Sequence, residues 1–183
     1  MGSLAGTKVY LGGAVEHAGV SSWREELSVK LAAFGIISLN PLKKPTWMPQ
    51  IDGTKQLALK SSLLDKGDEA VNSVRDENSK VRRFCLALVR DADFLIVTID
   101  KTFTVGTFEE ISAAAGKPVF IVSEDPIPSM WLIDQLGIYT AKDRQLYLHK
   151  SHASCMDKIE YIDFLGPDLR YLDPFSWIFL FNK

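Results

Sequence analysis

The chain has 183 residues, 46% of them hydrophobic and 24% charged, a length and balance that suit one compact domain and exclude a chain disordered throughout. With 21 basic and 23 acidic residues the formal net charge is −2, which lacks the basic surplus of a nucleic-acid polymer binder but leaves room for a small anionic ligand in a local basic pocket. Cys85 and Cys155 make no disulfide framework, Met1–Thr7 has no signal-peptide pattern, and no apolar run nears the roughly 18 residues of a membrane span. The expectation is a cytoplasmic protein with reduced thiols and no membrane contact.

Lys8-Val-Tyr-Leu11 is a short apolar run stopped by Gly12-Gly13, the pattern of a buried strand entering a tight loop. Ser22-Trp-Arg-Glu25 is a capping box. Trp23, Leu27, Leu31 and Phe34 follow at helical spacing, and Gly35 ends that helix. Ile36–Leu39 is a second strand closed by Asn40-Pro41. Leu42–Asp68, punctuated by Pro45, Pro49 and Gly53, reads as a long loop with a helix over Gln56–Leu64; loops of that length often carry function. Val71, Val74, Val81, Phe84, Leu88 and Val89 approximate one face of a helix over Glu69–Arg90.

Phe94–Ile99 is a strong buried strand. Thr107–Ala115 reads as a helix ended by Gly116, and Pro118–Val122 as the next strand. Pro126–Leu136 reads as a loop with a short helix, and Ser154–Leu165 as an amphipathic helix. Trp177–Phe181 fits either a last strand or a docked apolar tail. Alternating strands and helices with continuously apolar strands predict an α/β fold. The expected architecture is a Rossmann-like or flavodoxin-like parallel sheet with helices on both faces, a three-layer sandwich in a single domain over residues 1–183.

In such a sheet ligands bind beyond the C-terminal ends of the strands. Tyr10–Gly13, Asn40–Lys44 and Asp100–Glu110 end there and form the candidate site. Gly106-Thr-Phe-Glu-Glu-Ile111 opens a helix after a strand. Gly106 permits close backbone approach, and the helix N-terminus favours an ionised carboxylate. A carboxylate so placed suits attack on an electron-poor sugar carbon. The competing reading is structural: Thr107-x-x-Glu110 is itself a capping box.

Several of these motifs, taken in order, resemble the nucleoside 2-deoxyribosyltransferase superfamily. Tyr10-Leu-Gly-Gly13 is similar to its "YLAGP" opening. Ser22-Trp-Arg-Glu-Glu26 with Asn40-Pro41 is similar to the Trp-containing helix and strand end of one branch. Asp91-Ala-Asp-Phe-Leu-Ile-Val97 resembles its "aD" strand. Gly106-Thr-Phe-Glu-Glu-Ile-Ser-Ala-Ala114 with Gly116-Lys-Pro-Val119 resembles its "GTxxEhxxA…gKPV" signature.

The resemblance spans roughly residues 8–122. It implies Glu110 as nucleophile, with Glu109 beside it, and Tyr10 as the tyrosine that hydrogen-bonds it. Gly12 and Gly13 then pass near the sugar. It implies cleavage or exchange of the N-glycosidic bond of a nucleoside or nucleotide. It also implies no metal or organic cofactor, and a homodimer or higher homo-oligomer in which a neighbour completes the pocket.

Two positions depart from that pattern. Cys85 and Thr104 stand where many members carry aspartates that hold sugar or base or move a proton. This motivates an alternative: a nucleotide-binding or sensing protein that keeps the fold without turnover. Asp100, at a strand end, is a candidate replacement carboxylate. Arg82 and Arg83 lie near the first gap, and Arg83 is the candidate ligand for a 5′-phosphate against the alternative of two solvated helix charges. Asn40, Gly106 and Thr107 complete the candidate substrate contacts. Lys43 and Lys44 could steer a phosphate and Trp47 could stack on a base, each against a surface or packing role. His17 reads as a solvated loop residue, Cys85 as a buried small side chain, and Asp93 as a strand-entry residue. His149 and His152 have no further ligands to make a metal site.

Overall fold

The computed structural model describes residues 2–14, 21–49, 68–100, 105–124, 147–166 and 172–181. β1 (Lys8–Gly13), α1 (Ser21–Ala33) and β2 (Ile37–Leu39) open the chain. α2 (Asp68–Asp91), β3 (Phe94–Thr98), α3 (Val105–Ala113), β4 (Val119–Val122), β5 (Leu148–His149) and α4 (His152–Leu165) follow, and a 3-10 turn covers Ile178–Leu180. The strands form one sheet in the order β2-β1-β3-β4-β5, and every neighbouring pair is parallel. This is the flavodoxin-like order. The chain leaves β1 for one edge and returns to β3 on the other side, so the connections after β1 and β3 diverge and leave a crevice at that point.

Side chains alternate between two cores, as the pleat requires. Val9, Leu11, Phe94, Ile96, Phe120 and Val122 pack with Leu27 and Leu31 of α1 and Cys155, Ile159 and Ile162 of α4. Tyr10, Leu95, Val97, Val119 and Ile121 pack on the opposite face with Val89 of α2 and Ile111 of α3. Both faces are covered, which is why the strands are apolar without alternation and why the expected three-layer α/β sandwich forms.

Local signals explain the joints. Gly35, at φ +74°, closes α1: Ile36 N–H reaches Leu31 O at 3.1 Å and Gly35 N–H reaches Ala32 O at 2.9 Å, a Schellman arrangement. Lys117, from the Gly-Lys-Pro-Val motif, donates through Nζ to the carbonyls of Val89, Arg90 and Ala92 at 2.9, 2.6 and 2.6 Å. It thereby satisfies the C-terminal end of α2. Asp93 is a strand-entry residue as expected, accepting the Lys8 N–H on Oδ2 at 2.8 Å.

The structure corrects one boundary, adds one strand and decides one alternative. α3 starts at Val105 rather than Thr107. The two-residue edge strand β5 carries too short a pattern to be seen in the sequence. Trp177–Phe181 forms no strand; it is the docked tail. Trp177 is fully buried, with its ring 6.0 Å from that of Phe120 and 6.5 Å from that of Phe94, and burial of that large ring fixes the segment as a turn. The helices expected over Gln56–Leu64 and Pro126–Leu136, together with His17 and Thr104, lie outside the described residues, as does the Ser22 side chain. No described helix is long and apolar enough to cross a membrane.

Candidate active site

Tyr10 is the third residue of β1 and points to the face covered by α2 and α3, fully buried. On α3 the buried residues are Thr107 and Ile111. Glu110, three residues after the one and directly before the other, therefore lies on the inner flank of the helix and is half-buried. The Tyr10 hydroxyl donates to Glu110 Oε1 at 2.7 Å. Gly12, two residues beyond Tyr10, leaves bare backbone beside the other carboxylate oxygen: a Cβ there would stand 3.4 Å from Glu110 Oε2 and 3.1 Å from Val97 Cγ2. At Gly13, φ is +141° and a Cβ would stand 2.8 Å from Thr98 O, so both its backbone conformation and its surroundings require glycine.

The site raises the cost of ionisation. Burial pushes the Glu110 carboxyl up to about 7 from 4.5; the Tyr10 hydrogen bond and the charge of Arg24 act against that rise, and Glu109 adds to it. Burial and the neighbouring Glu110 raise the Tyr10 phenol well above its usual value, so Tyr10 remains a proton donor. The expectation that the helix N-terminus keeps Glu110 ionised is corrected by the early start of α3. With Val105 as the first helical residue, Glu110 falls in the second turn, beyond the reach of the terminal dipole. The same shift removes Thr107 from the capping position: Thr107 is a buried residue inside α3, and the Glu110 carboxylate bonds Tyr10.

The other expected site residues divide. Gly12 and Gly13 are at the crevice as described. Asn40 is buried and serves its own turn, with Oδ1 accepting Leu42 N–H at 2.9 Å. Gly106 is exposed, and a Cβ there would meet nothing within 4 Å. Asp100 is exposed beyond the end of β3. Arg83 is exposed on α2; its neighbour Arg82 is the one that reaches the site, pairing with Glu109 through Nε at 2.7 Å and through Nη2. That pair holds the Glu109 carboxyl below its usual range and separates the roles of the two adjacent glutamates. Trp47 is largely exposed.

Two further residues border the site. Cys85 is not buried but half-buried; burial, with Glu110 nearby, pushes its thiol up to about 11, so it is a neutral thiol. Arg24 is fully buried. It donates through Nε to Leu11 O at 3.1 Å and through Nη2 to Gly13 O at 2.8 Å. The signal available for Arg24 was its place between Trp23 and the apolar stripe of α1, where helical geometry turns it toward the sheet. His149 is buried on β5, and His152 contacts Thr98 and Trp23. Among the described residues no cluster of His, Cys, Asp and Glu could hold a metal ion.

No protein-family model matches the chain, and no curated protein matches it. Among solved structures it is similar to the 2-deoxyribosyltransferase of the psychrotolerant bacterium Bacillus psychrosaccharolyticus, with 18% sequence identity and a TM-score of 0.47, covering 71% of this chain and 82% of that one.

Proposed function

We propose that this protein cleaves or exchanges the N-glycosidic bond of a (deoxy)nucleoside or its 5′-monophosphate, with Glu110 as the nucleophile. The observation that carries the reading is the 2.7 Å bond from the buried Tyr10 hydroxyl to Glu110 Oε1 at the crevice between β1 and β3. The order of motifs that resembles the nucleoside 2-deoxyribosyltransferases supports the same assignment. Tyr10 orients one carboxylate oxygen and Gly12 leaves the other uncovered by any side chain at that position. That oxygen attacks C1′. A C1′–O ester bond forms as the C1′–N bond breaks, and the electron pair leaves on the base, which takes up a proton. Water or a second base then attacks C1′, the ester bond breaks, and Glu110 is regenerated. Only the ionised carboxylate attacks, so the group held up to about 7 sets an acid limb on the rate.

One observation favours the alternative of a binder without turnover: a neutral Cys85 thiol occupies a position where many members of the superfamily carry an aspartate. Chromatography of free base released from a panel of nucleosides and 5′-monophosphates, with and without an acceptor base, separates the two. The reading predicts release by the wild type and none by Glu110→Gln. No release by either protein, with ligand still bound, favours the binder. The homodimer or higher oligomer implied by the resemblance is tested by light scattering of the same sample.

A further inference from the structure

Glu109 and Glu110 are neighbours in α3, and successive helix positions differ by about 100° in direction. Glu110 turns to β1, where the Tyr10 hydroxyl donates to Oε1 at 2.7 Å. Glu109 turns to α2, where Arg82 donates to Oε2 through Nε at 2.7 Å and to Oε1 through Nη2. A guanidinium that takes both oxygens of a carboxylate fixes its direction as well as its distance. Of the oxygens of the two carboxylates, Glu110 Oε2 alone has no hydrogen-bond partner among the described residues, and it faces the bare Gly12 backbone, 3.4 Å from where a Cβ would stand.

Arg82, Cys85 and Val89 follow at i, i+3 and i+7 and share one face of α2. Val89 is buried with Ile111 of α3 in one core, the Cys85 thiol feels the Glu110 charge, and Arg82 closes the outer end of that face on Glu109. Both partners of the pair are accessible to solvent, and pairs of that kind add little to stability; this one acts on direction. α3 has nine residues, with Thr107 and Ile111 buried. Packing holds such a helix to the sheet, but it is non-directional and tolerates a roll about the helix axis. At about 5–6 Å from the axis, a roll of about 20° carries a carboxylate about 2 Å. Ties on adjacent residues, one to β1 and one to α2, remove that roll.

We propose that Arg82 is a positioning residue for Glu110: by holding both oxygens of Glu109 it sets the rotation of α3 and aims Glu110 Oε2 at the crevice. The inference rests on Glu110 as nucleophile. The fork also leaves Glu109 no free oxygen with which to compete for C1′, so one arginine separates the two glutamates. A pair that only joined α2 to α3 could be made anywhere along the two helices; this one is made at the residue next to the nucleophile.

Base release by the full chain at about pH 9, where the Glu110 carboxyl held up to about 7 is ionised, compares the wild type, Arg82→Ala and the exchange of Arg82→Glu with Glu109→Arg. Arg82→Ala is expected to lose at least about tenfold in kcat with KM unchanged, because the nucleophile is charged but no longer aimed. The exchange rebuilds the pair with its charges reversed and is expected to recover most of that loss. Thermal midpoints of all three are expected to lie close together, since the pair is solvent-accessible. An unchanged kcat in Arg82→Ala overturns the proposal. So does a raised KM at unchanged kcat, which would make Arg82 a substrate contact, and so does a loss that the exchange leaves untouched.

If the wild type releases no base, the glycosidic reading fails, and carboxyl 13C NMR of Glu109→Ala still decides whether the pair positions Glu110. The Glu110 resonance is assigned by its absence in Glu110→Gln. The charged and titratable groups facing Glu110 are Tyr10 of β1, Arg24 of α1, Cys85 of α2 and Glu109 beside it. Loss of the Glu109 charge alone would lower the Glu110 midpoint, whereas loosening of the Tyr10 hydrogen bond would raise it, and that bond is the stronger influence of the two. A raised midpoint in Glu109→Ala supports the proposal; a lowered or unchanged one overturns it.

Discussion

Glu110→Gln removes one ionisation while keeping the size of the side chain and an acceptor for the Tyr10 hydroxyl. In the folded chain burial holds the Glu110 carboxyl up to about 7, against 4.5 for an exposed glutamate. Below 4.5 the proton is bound in both the folded and unfolded states, and the stability the folded state draws from its tighter proton is fully present. Between 4.5 and about 7 the unfolded chain ionises while the folded chain keeps its proton, so stability falls as pH rises; above about 7 both are ionised and the loss levels off. At about 1.4 kcal/mol per pH unit, the gap amounts to about 3 kcal/mol, an order-of-magnitude figure. Urea unfolding of the wild type and of Glu110→Gln, followed by tryptophan fluorescence at a series of pH values from about 4.5 to about 8, measures it. The difference between the two proteins should shift in favour of Glu110→Gln by about 3 kcal/mol across that range. Parallel stability curves would refute the reasoning, because they would mean that Glu110 ionises in the fold as it does in water.

The same value shapes the rate. In the free enzyme kcat/KM for base release should climb with pH and level off above a midpoint of about 7, and a midpoint near 4.5 would contradict the burial. Tyr10→Phe deletes a hydrogen bond to the half-buried Glu110 carboxylate. Such bonds are worth about 1.5–3 kcal/mol, so base release at neutral pH should fall roughly ten- to hundredfold, with part of it recovered at alkaline pH as the raised Glu110 group ionises. Thermal melts should rank Gly13→Ala below Gly12→Ala, since a Cβ at Gly13 meets backbone at 2.8 Å with φ at +141° and one at Gly12 meets side chains at 3.1 and 3.4 Å; the reverse order would contradict the close packing of the β1 end.

The sheet was legible because its strands are buried on both faces. Val9–Leu11, Phe94–Val97 and Val119–Val122 are apolar without interruption, and Gly35 marks the end of α1 by its left-handed backbone. β5 was not legible, because two residues carry no period. In the candidate site, Tyr10, Gly12, Gly13 and Glu110 are named in the sequence by their place at the strand ends and by the resemblance, and the fold brings the four together at the end of β1. Arg24, in the first turns of α1, reads as a solvated charge; its spacing to Leu27 and Leu31 is the one sign that it turns inward, and the packing of α1 against the β1 end buries it. Arg82 and Arg83 are not told apart by the sequence, because adjacent helix positions differ by about 100° in direction and nothing in the sequence says which of the two faces Glu109. The ionisation of Glu110 is not legible for the same kind of reason: a two-residue shift in the start of α3 moves the carboxylate away from the helix dipole.

The most direct test of the account is mass spectrometry of the protein quenched with acid during turnover of a releasing substrate, followed by peptide mapping. The account predicts a peptide heavier by one glycosyl group, with the group on Glu110 and none in Glu110→Gln. Base release with no adduct, or an adduct on Glu109, would contradict it.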